Sequence, residues 1–208
     1  MIRVVTVARE YGSGGGSIAG LLAEKLGWKL LDRELITDLA RRVHCSPDEV
    51  ARLDEHPPSF LSRLMRAYWT GGADTWAAPP SADLLDADTL AATTGSVIQE
   101  AAQLGNCVIV GRGSQCVLRD RLDVFHVFVY APRDYRVRRL LLHRHKTEDE
   151  AEVAMLEIDR LRAAYVSRYY GQDWTDRQMY GLMMNSKIGD YAVVATILAA
   201  TGLCAGRG

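Results

Sequence analysis

The chain reads as one α/β domain built on a doubly wound parallel sheet, and three observations predict it. Nearly continuous apolar runs, Cys107-Val108-Ile109-Val110 and the stretch from Val124 to Tyr130, suit strands covered on both faces. Stretches with helical spacing of apolar residues alternate with such runs along the chain. Finally, the first β-rich run, Val4-Val5-Thr6-Val7-Ala8, enters a glycine-rich turn that leads at once into a helical pattern. Strand, glycine turn and helix together form an anion site, because converging backbone N–H groups and the helix N-terminus both favour negative charge.

Composition narrows the function classes. The 208 residues are 48% apolar and 25% charged, enough for a real core, and the net charge of −1 gives no basic field. Neither nucleic acid nor an anionic membrane surface is therefore an expected partner, and no apolar run approaches the roughly 18 residues of a membrane span. The N-terminus enters a strand without a signal-peptide layout, so the expected location is the cytoplasm. Cys45, Cys107, Cys116 and Cys204 are scattered, with no zinc spacing, and read as reduced structural thiols. His143 and His145, beside Arg144 and Lys146, read as a solvated helix end.

Each element then follows in order. Ile18, Leu21, Leu22 and Leu26 define the first helix, with Gly27 as its stop. Residues 33–43 look helical, and Ser46-Pro47-Asp48-Glu49 is a helix start with cap, proline and first-turn acids. Residues 56–87 hold four prolines and Gly71-Gly72, and read as a helix over 60–69 followed by a loop. Tyr68, Trp69 and Trp76 there are packing residues or a platform for a base. Helices are expected over 90–104, 133–145, 148–169 and 189–200, and a short strand over 182–184. One domain, 1–208, is expected, with an inserted lobe over about 44–88 and a lid over about 140–176.

The loop Gly12-Ser13-Gly14-Gly15-Gly16-Ser17 is the strongest chemical signal, and Ser17 can offer its hydroxyl to a phosphate or a hydrated Mg²⁺. It lacks the lysine of the common Gly-x-x-x-x-Gly-Lys-[Ser/Thr] pattern. Gly14-x-Gly16-x-x-Ala19 also fits a dinucleotide turn, with Asp32 as a ribose-binding acid. Against that, Gly14 stands too far beyond the strand for the tight dinucleotide turn, and a wide loop around phosphates fits better.

These residues resemble the cytidylate kinase-like family of P-loop nucleoside monophosphate kinases. The likeness runs through Arg9-Glu10-Tyr11-Gly12-Ser13-Gly14-Gly15, Leu31-Asp32-Arg33-Glu34-Leu35-Ile36, Val110-Gly111-Arg112-Gly113 and Ala131-Pro132 with Arg136 and Arg139. It continues through Asp159-Arg160-x-Arg162-x-x-Tyr165, Asp173-Trp174-x-Asp176 and Tyr180-Gly181-Leu182-x-x-Asn185-Ser186. The resemblance implies a P-loop fold using ATP and Mg²⁺ on a nucleoside monophosphate, with a pyrimidine favoured. By resemblance, residues 12–17 hold the ATP phosphates, and Arg112 holds the acceptor's phosphate. Asp32, Asp159 and Arg162 contact the acceptor, while Arg136 and Arg139 face the lid and donor. The implied partners are small nucleotides; oligomeric state is open.

The chain departs from the family at three positions. Cytidylate kinases carry a loop lysine where Gly15 stands, close relatives usually carry arginine at Gly16, and a carboxylate occupies the place of Gly113. Arg9 borders the loop and is the candidate to supply the missing charge; the alternative is an ion pair with Glu10 or Glu34. Asp159 and Arg162 equally suit a mutual i, i+3 pair. Two other functions stay open: a nucleotide-binding regulatory protein without catalysis, and an NAD(P)-dependent oxidoreductase.

Overall fold

A computed structural model describes residues 1–32, 87–144 and 147–203. The readings made above for residues 33–86, including the helices at 33–43 and 60–69, Trp69, Trp76 and nearly all of the inserted lobe, lie outside the described residues, as do Cys45 and Cys204.

Five parallel strands form one sheet in the order β2-β3-β1-β4-β5. They are β1 (Val4–Arg9), β2 (Lys29–Leu31), β3 (Cys107–Val110), β4 (Val124–Tyr130) and β5 (Leu182–Asn185). The helices are α1 (Gly15–Leu26), α2 (Ala87–Leu104), α3 (Ser114–Val117), α4 (Arg133–Arg144), α5 (Glu148–Tyr170) and α6 (Asp190–Thr201). The fold is the expected doubly wound α/β sheet. Its strand order differs from the 3-2-1-4-5-6 order of dinucleotide-binding folds.

Alternation along the strands assigns the two faces. From β1, Val5 and Val7 join Ile18, Leu22, Val193, Val194 and Ile197 beneath α1 and α6. Val4 and Ala8 face the other way, with Ile98, Phe128, Leu161 and Tyr165 beneath α2 and α5. Trp174 belongs to this second core, edge-on to Phe128 at 5.2 Å between centroids, and its carbonyl accepts the Tyr180 hydroxyl at 2.8 Å. Its role in this structure is packing.

Chain ends of elements follow local chemistry. Gly27 closes α1 in the left-handed region, as the sequence predicts. α5 opens with a capping box: the Thr147 hydroxyl accepts from the Glu150 N–H at 3.4 Å, and the Glu150 carboxylate accepts from the Thr147 N–H at 2.9 Å. Beyond α2, Gly105 and Asn106 both take positive φ, and the Arg3 guanidinium donates to the Leu104 carbonyl at 2.9 Å. No described helix is long and apolar enough to cross a membrane.

Two elements were not expected from the sequence. β2 has only three residues, with Lys29 exposed, too little for a period-2 signal. α3 has four residues. Both exist because neighbours supply them: β2 pairs with β3, and α3 is launched by the turn after β3.

Candidate active site

The order β2-β3-β1-β4-β5 puts a switch point between β1 and β3, since their connections leave in opposite directions. Ligands of open α/β sheets bind at that crevice, beyond the carboxyl ends of the strands. Two glycine-bearing turns meet there, the loop after β1 and Gly111-Arg112-Gly113 after β3, because Val7 pairs with Val110.

The first loop ends on a helix N-terminus fit for an anion. Gly14 is the N-cap of α1, no side chain caps the helix, and its first turn carries no acid. The first-turn N–H groups have no helical acceptor, and the helix dipole leaves partial positive charge beside them. Gly12 and Gly14 hold φ of 79° and 82°, which only glycine adopts freely. Ser13 is fully buried and serves the loop itself: its hydroxyl donates to the Glu10 carbonyl at 2.8 Å, while its own carbonyl accepts from Ser186 Oγ at 2.6 Å. Ser17 is exposed at the mouth.

Three arginines belong to these two turns or lie against them. Arg139, from α4, lies over Gly14, where an added Cβ would fall 2.6 Å from the guanidinium carbon. It donates to Ser17 Oγ at 3.2 Å and to both oxygens of Asp190, at 3.2 and 2.8 Å. Arg9 leaves the end of β1 between the two turns. An added Cβ at Gly15 would lie 2.5 Å from Arg9 Cβ, and one at Gly111 would overlap Arg9 Nη1. Among the described residues Glu10 pairs with Arg136, at 3.3 Å, and not with Arg9; Glu34 lies outside them. Arg9 Cβ and Cγ thus stand where any side chain at position 15, a loop lysine included, would begin.

Arg112 is the third. It is 2% exposed and holds φ of 62°, between Gly111 and Gly113 at 66° each. A left-handed non-glycine residue costs on the order of 1–2 kcal/mol, and such strain clusters at functional sites. Gly113 is a glycine for a packing reason as well, since an added Cβ would overlap the Tyr170 ring. That ring stands where a carboxylate at position 113 would begin.

Arg136, Asp159 and Arg162 lie beneath the loop. Asp159 Oδ1 accepts the Tyr11 N–H at 2.8 Å, and Oδ2 accepts from Arg136 at 2.5 Å. Arg162, 4% exposed, donates to the Arg9 carbonyl at 2.8 Å and lies 3.7 Å from Asp159. Glu10 accepts the Ala131 N–H at 3.1 Å, and burial raises its carboxyl above the usual range against the lowering effect of that bond and of Arg136. Within the cluster Asp159 holds the loop at the Tyr11 N–H, Arg162 holds the end of β1 at the Arg9 carbonyl, and Arg136 pairs with the Glu10 and Asp159 carboxylates. Asp32, half-buried, follows β2 on the same carboxyl edge, with β3 between it and β1.

Sequence reasoning missed Asp190 and Ser186. Asp190 opens α6 and reads from sequence as an ordinary first-turn acid; only the fold carries it to Arg139. Ser186 lies inside the resembling segment Asn185-Ser186, so a signal was present without a role.

The chain is similar to known proteins over most of its length. A cytidylate kinase of Sulfolobus acidocaldarius is 26% identical over 183 residues, covering 88% of this chain and 84% of that protein. Among solved structures, an uncharacterized protein from Eubacterium ventriosum superposes with a TM-score of 0.70 at 20% identity, covering 97% of this chain and 99% of that one. The shikimate kinase of Bacteroides thetaiotaomicron superposes at 0.53 with 14% identity, covering 96% and 98%, a likeness of fold. The family description "cytidylate kinase-like family" matches residues 4–188, which include all five strands of the sheet and both glycine turns. The chain belongs to the cytidylate kinase-like family.

Proposed function

We propose that the protein transfers the γ-phosphate of ATP, with Mg²⁺, to a nucleoside monophosphate or a similar small phosphorylated acceptor, with a pyrimidine monophosphate favoured. The observation that carries this reading is the uncapped, acid-free N-terminus of α1 framed by Arg9 and Arg139, with the buried Arg112 on the neighbouring turn after β3. Phosphoryl transfer needs aligned positive charge more than a covalent nucleophile, and arginine supplies a fixed two-pronged charge for phosphate oxygens.

The residues present fit the two groups this reaction requires. The first-turn N–H groups of α1 receive donor phosphates, and Arg139 and Arg9 flank them. Ser17 offers an exposed hydroxyl to Mg²⁺, an ion that keeps several waters and takes few protein ligands. When bound, Mg²⁺ neutralises charge on the transferring phosphate. Arg139 must exchange its bond to Ser17 for one to phosphate, and Asp190 keeps the guanidinium aimed while it does so. Arg112 takes the acceptor phosphate. Asp159, Arg162 and Arg136 position the loop from below; their contact with an acceptor remains part of the proposal, as does that of Asp32.

The test is ADP release with Mg·ATP against CMP, dCMP, UMP, AMP, GMP and small phosphorylated metabolites, with Arg112→Ala as control. Turnover with one acceptor, lost in the variant, supports the reading. ATP binding without turnover on any acceptor would replace it with the regulatory alternative, which Gly15 favours and for which Arg139, already bound to Asp190, would serve as a static clamp.

A further inference from the structure

We propose that Ser186 and Asp190, which open and close the turn between β5 and α6, are positioning residues for the donor phosphates: Ser186 aims a loop N–H, and Asp190 aims the arginine beside it. The proposal rests on the kinase reading and adds to it two residues that act through others. Their turn lies beyond the carboxyl end of β5, on the same edge of the parallel sheet as the glycine loop.

Ser186 acts from the core side. It is fully buried, and its hydroxyl donates to the Ser13 carbonyl at 2.6 Å, with the Tyr130 carbonyl 3.3 Å away. A trans peptide unit is planar, so its C=O and N–H point in opposite directions. Fixing the Ser13 carbonyl against Ser186 therefore turns the Gly14 N–H away from that buried hydroxyl. The serine is itself held: the Gly189 N–H donates to its carbonyl at 2.9 Å, and Asn185 accepts the Lys187 N–H at 3.0 Å.

Asp190 acts at the mouth. Its two carboxylate oxygens accept from Nη1 and Nη2 of Arg139 at 3.2 and 2.8 Å, the two-pronged arrangement that fixes a guanidinium plane. Nη2 also donates to Ser17 Oγ at 3.2 Å, and the group lies over Gly14, the N-cap of α1. A helix N-terminus carries partial positive charge and disfavours a cation. Parked there without a ligand, Arg139 needs a counter-charge, and Asp190 supplies it. The pair is no tie along one helix, since its members stand 51 residues apart, on α4 and α6. α6 is in turn fixed to α1, because Val193, Val194 and Ile197 share a core with Ile18, Ala19 and Leu22. One short turn thus holds the loop and its arginine in a common frame. Such preorganisation lowers the ordering cost when phosphates arrive and keeps the charge aligned for transfer.

The experiment is calorimetric titration of the full chain, in Mg²⁺, with the ATP analogue that has an imide between its β- and γ-phosphorus, alongside ADP-release kinetics. Ser186→Ala and Asp190→Asn should each weaken analogue binding about tenfold or more and lower kcat, while the acceptor KM stays within about twofold. In an Arg139→Ala background, Asp190→Asn should have no further effect. If Ser186→Ala does not fold, Ser186→Cys replaces it, with nearly the same size and a much weaker donor. The proposal is overturned if either folded variant binds the analogue as wild type does, even where its melting temperature falls, because the residue is then structural only. Tighter binding by Asp190→Asn overturns it too, since the carboxylate would then merely repel phosphate. So does an equal loss from Asp190→Asn with and without Arg139. Analogue binding without turnover on any acceptor sinks the kinase reading alone, undiminished binding by the variants sinks this proposal alone, and no binding by the wild type sinks both.

Discussion

Gly15 and Arg9 form one unit, which makes the missing loop lysine a matter of geometry. An ideal Cβ at position 15 lies 2.5 Å from Arg9 Cβ and 2.9 Å from its Cγ, so any side chain must displace the end of β1. Gly15→Lys is expected to lose about 1–3 kcal/mol, the usual cost of overpacking, in urea denaturation. Arg9→Ala in that background rescues little, because alanine keeps the offending Cβ, whereas Arg9→Gly restores the space. Gly16 has nothing within 4 Å of its added Cβ, so Gly16→Arg should change stability by no more than about 0.5 kcal/mol while placing a new cation at the loop mouth. Arg112 allows a cleaner comparison. Arg112→Gly and Arg112→Ala lose the same side chain, but only alanine bears the left-handed backbone cost. The glycine variant should be the more stable by about 1 kcal/mol, with both equally inactive in the ADP-release assay. Cys107 and Cys116 give a residue-scale test of burial. Burial pushes their thiols up to about 11 and about 12, so neither forms thiolate at pH 8. Peptide mapping after iodoacetamide should show both labelled only in denaturant.

At the scale of elements, the loop is held by helices remote in sequence. Asp159 on α5 ties the Tyr11 N–H to Arg136 on α4, and Arg162, one turn further along α5, reaches the Arg9 carbonyl. Tyr11 itself packs with Val137, Leu140, Ala151 and Met155 in a small core between those helices. α4 and α5 therefore set the height of the loop over β1. Asp159→Asn keeps one acceptor and removes the charge facing Arg136, so a loss of about 2–3 kcal/mol in equilibrium unfolding is expected. The kinetic split separates positioning from contact: a loop anchor lowers kcat and leaves the acceptor KM unmoved, whereas an acceptor ligand raises that KM. The capping box of α5 is independent of this. Thr147→Ala should cost about 1 kcal/mol and spare turnover.

For the whole molecule, the parallel sheet gathers its chemistry on one edge. Every strand points its carboxyl end the same way, so the turns after β1 and β3 converge although nearly a hundred residues separate them. Ligand binding at that edge couples to global stability, because the unfolded chain has no such site. Mg·ATP at a hundred times its Kd should add about 2.7 kcal/mol, read as a rise in melting temperature, and Arg139→Ala should shrink the rise. NAD or NADP should give none; a saturable shift with either would return the oxidoreductase reading to contention against the strand order found here.

The sequence by itself determined the fold class, the long elements among the described residues and the position of the glycine turn between the first strand and the first helix. Those features are local: apolar runs, helical spacing, Gly27 as a stop, and glycines between a strand and a helix are written in consecutive residues. It also named Arg9, Arg112, Arg139, Asp159 and Arg162, through ordered motifs. What each of those side chains touches was decided only in three dimensions. Arg9 crowds the start of any side chain at position 15, Arg139 is held by Asp190, Asp159 accepts the Tyr11 N–H, and Arg162 donates to the carbonyl of Arg9 at the end of β1. The short elements β2 and α3 belong to the same class, since three or four residues carry too little pattern to register without their neighbours. The physical reason is common to all of them: a side chain's partner depends on which strands lie side by side, and pairing across a sheet leaves no periodicity in the sequence.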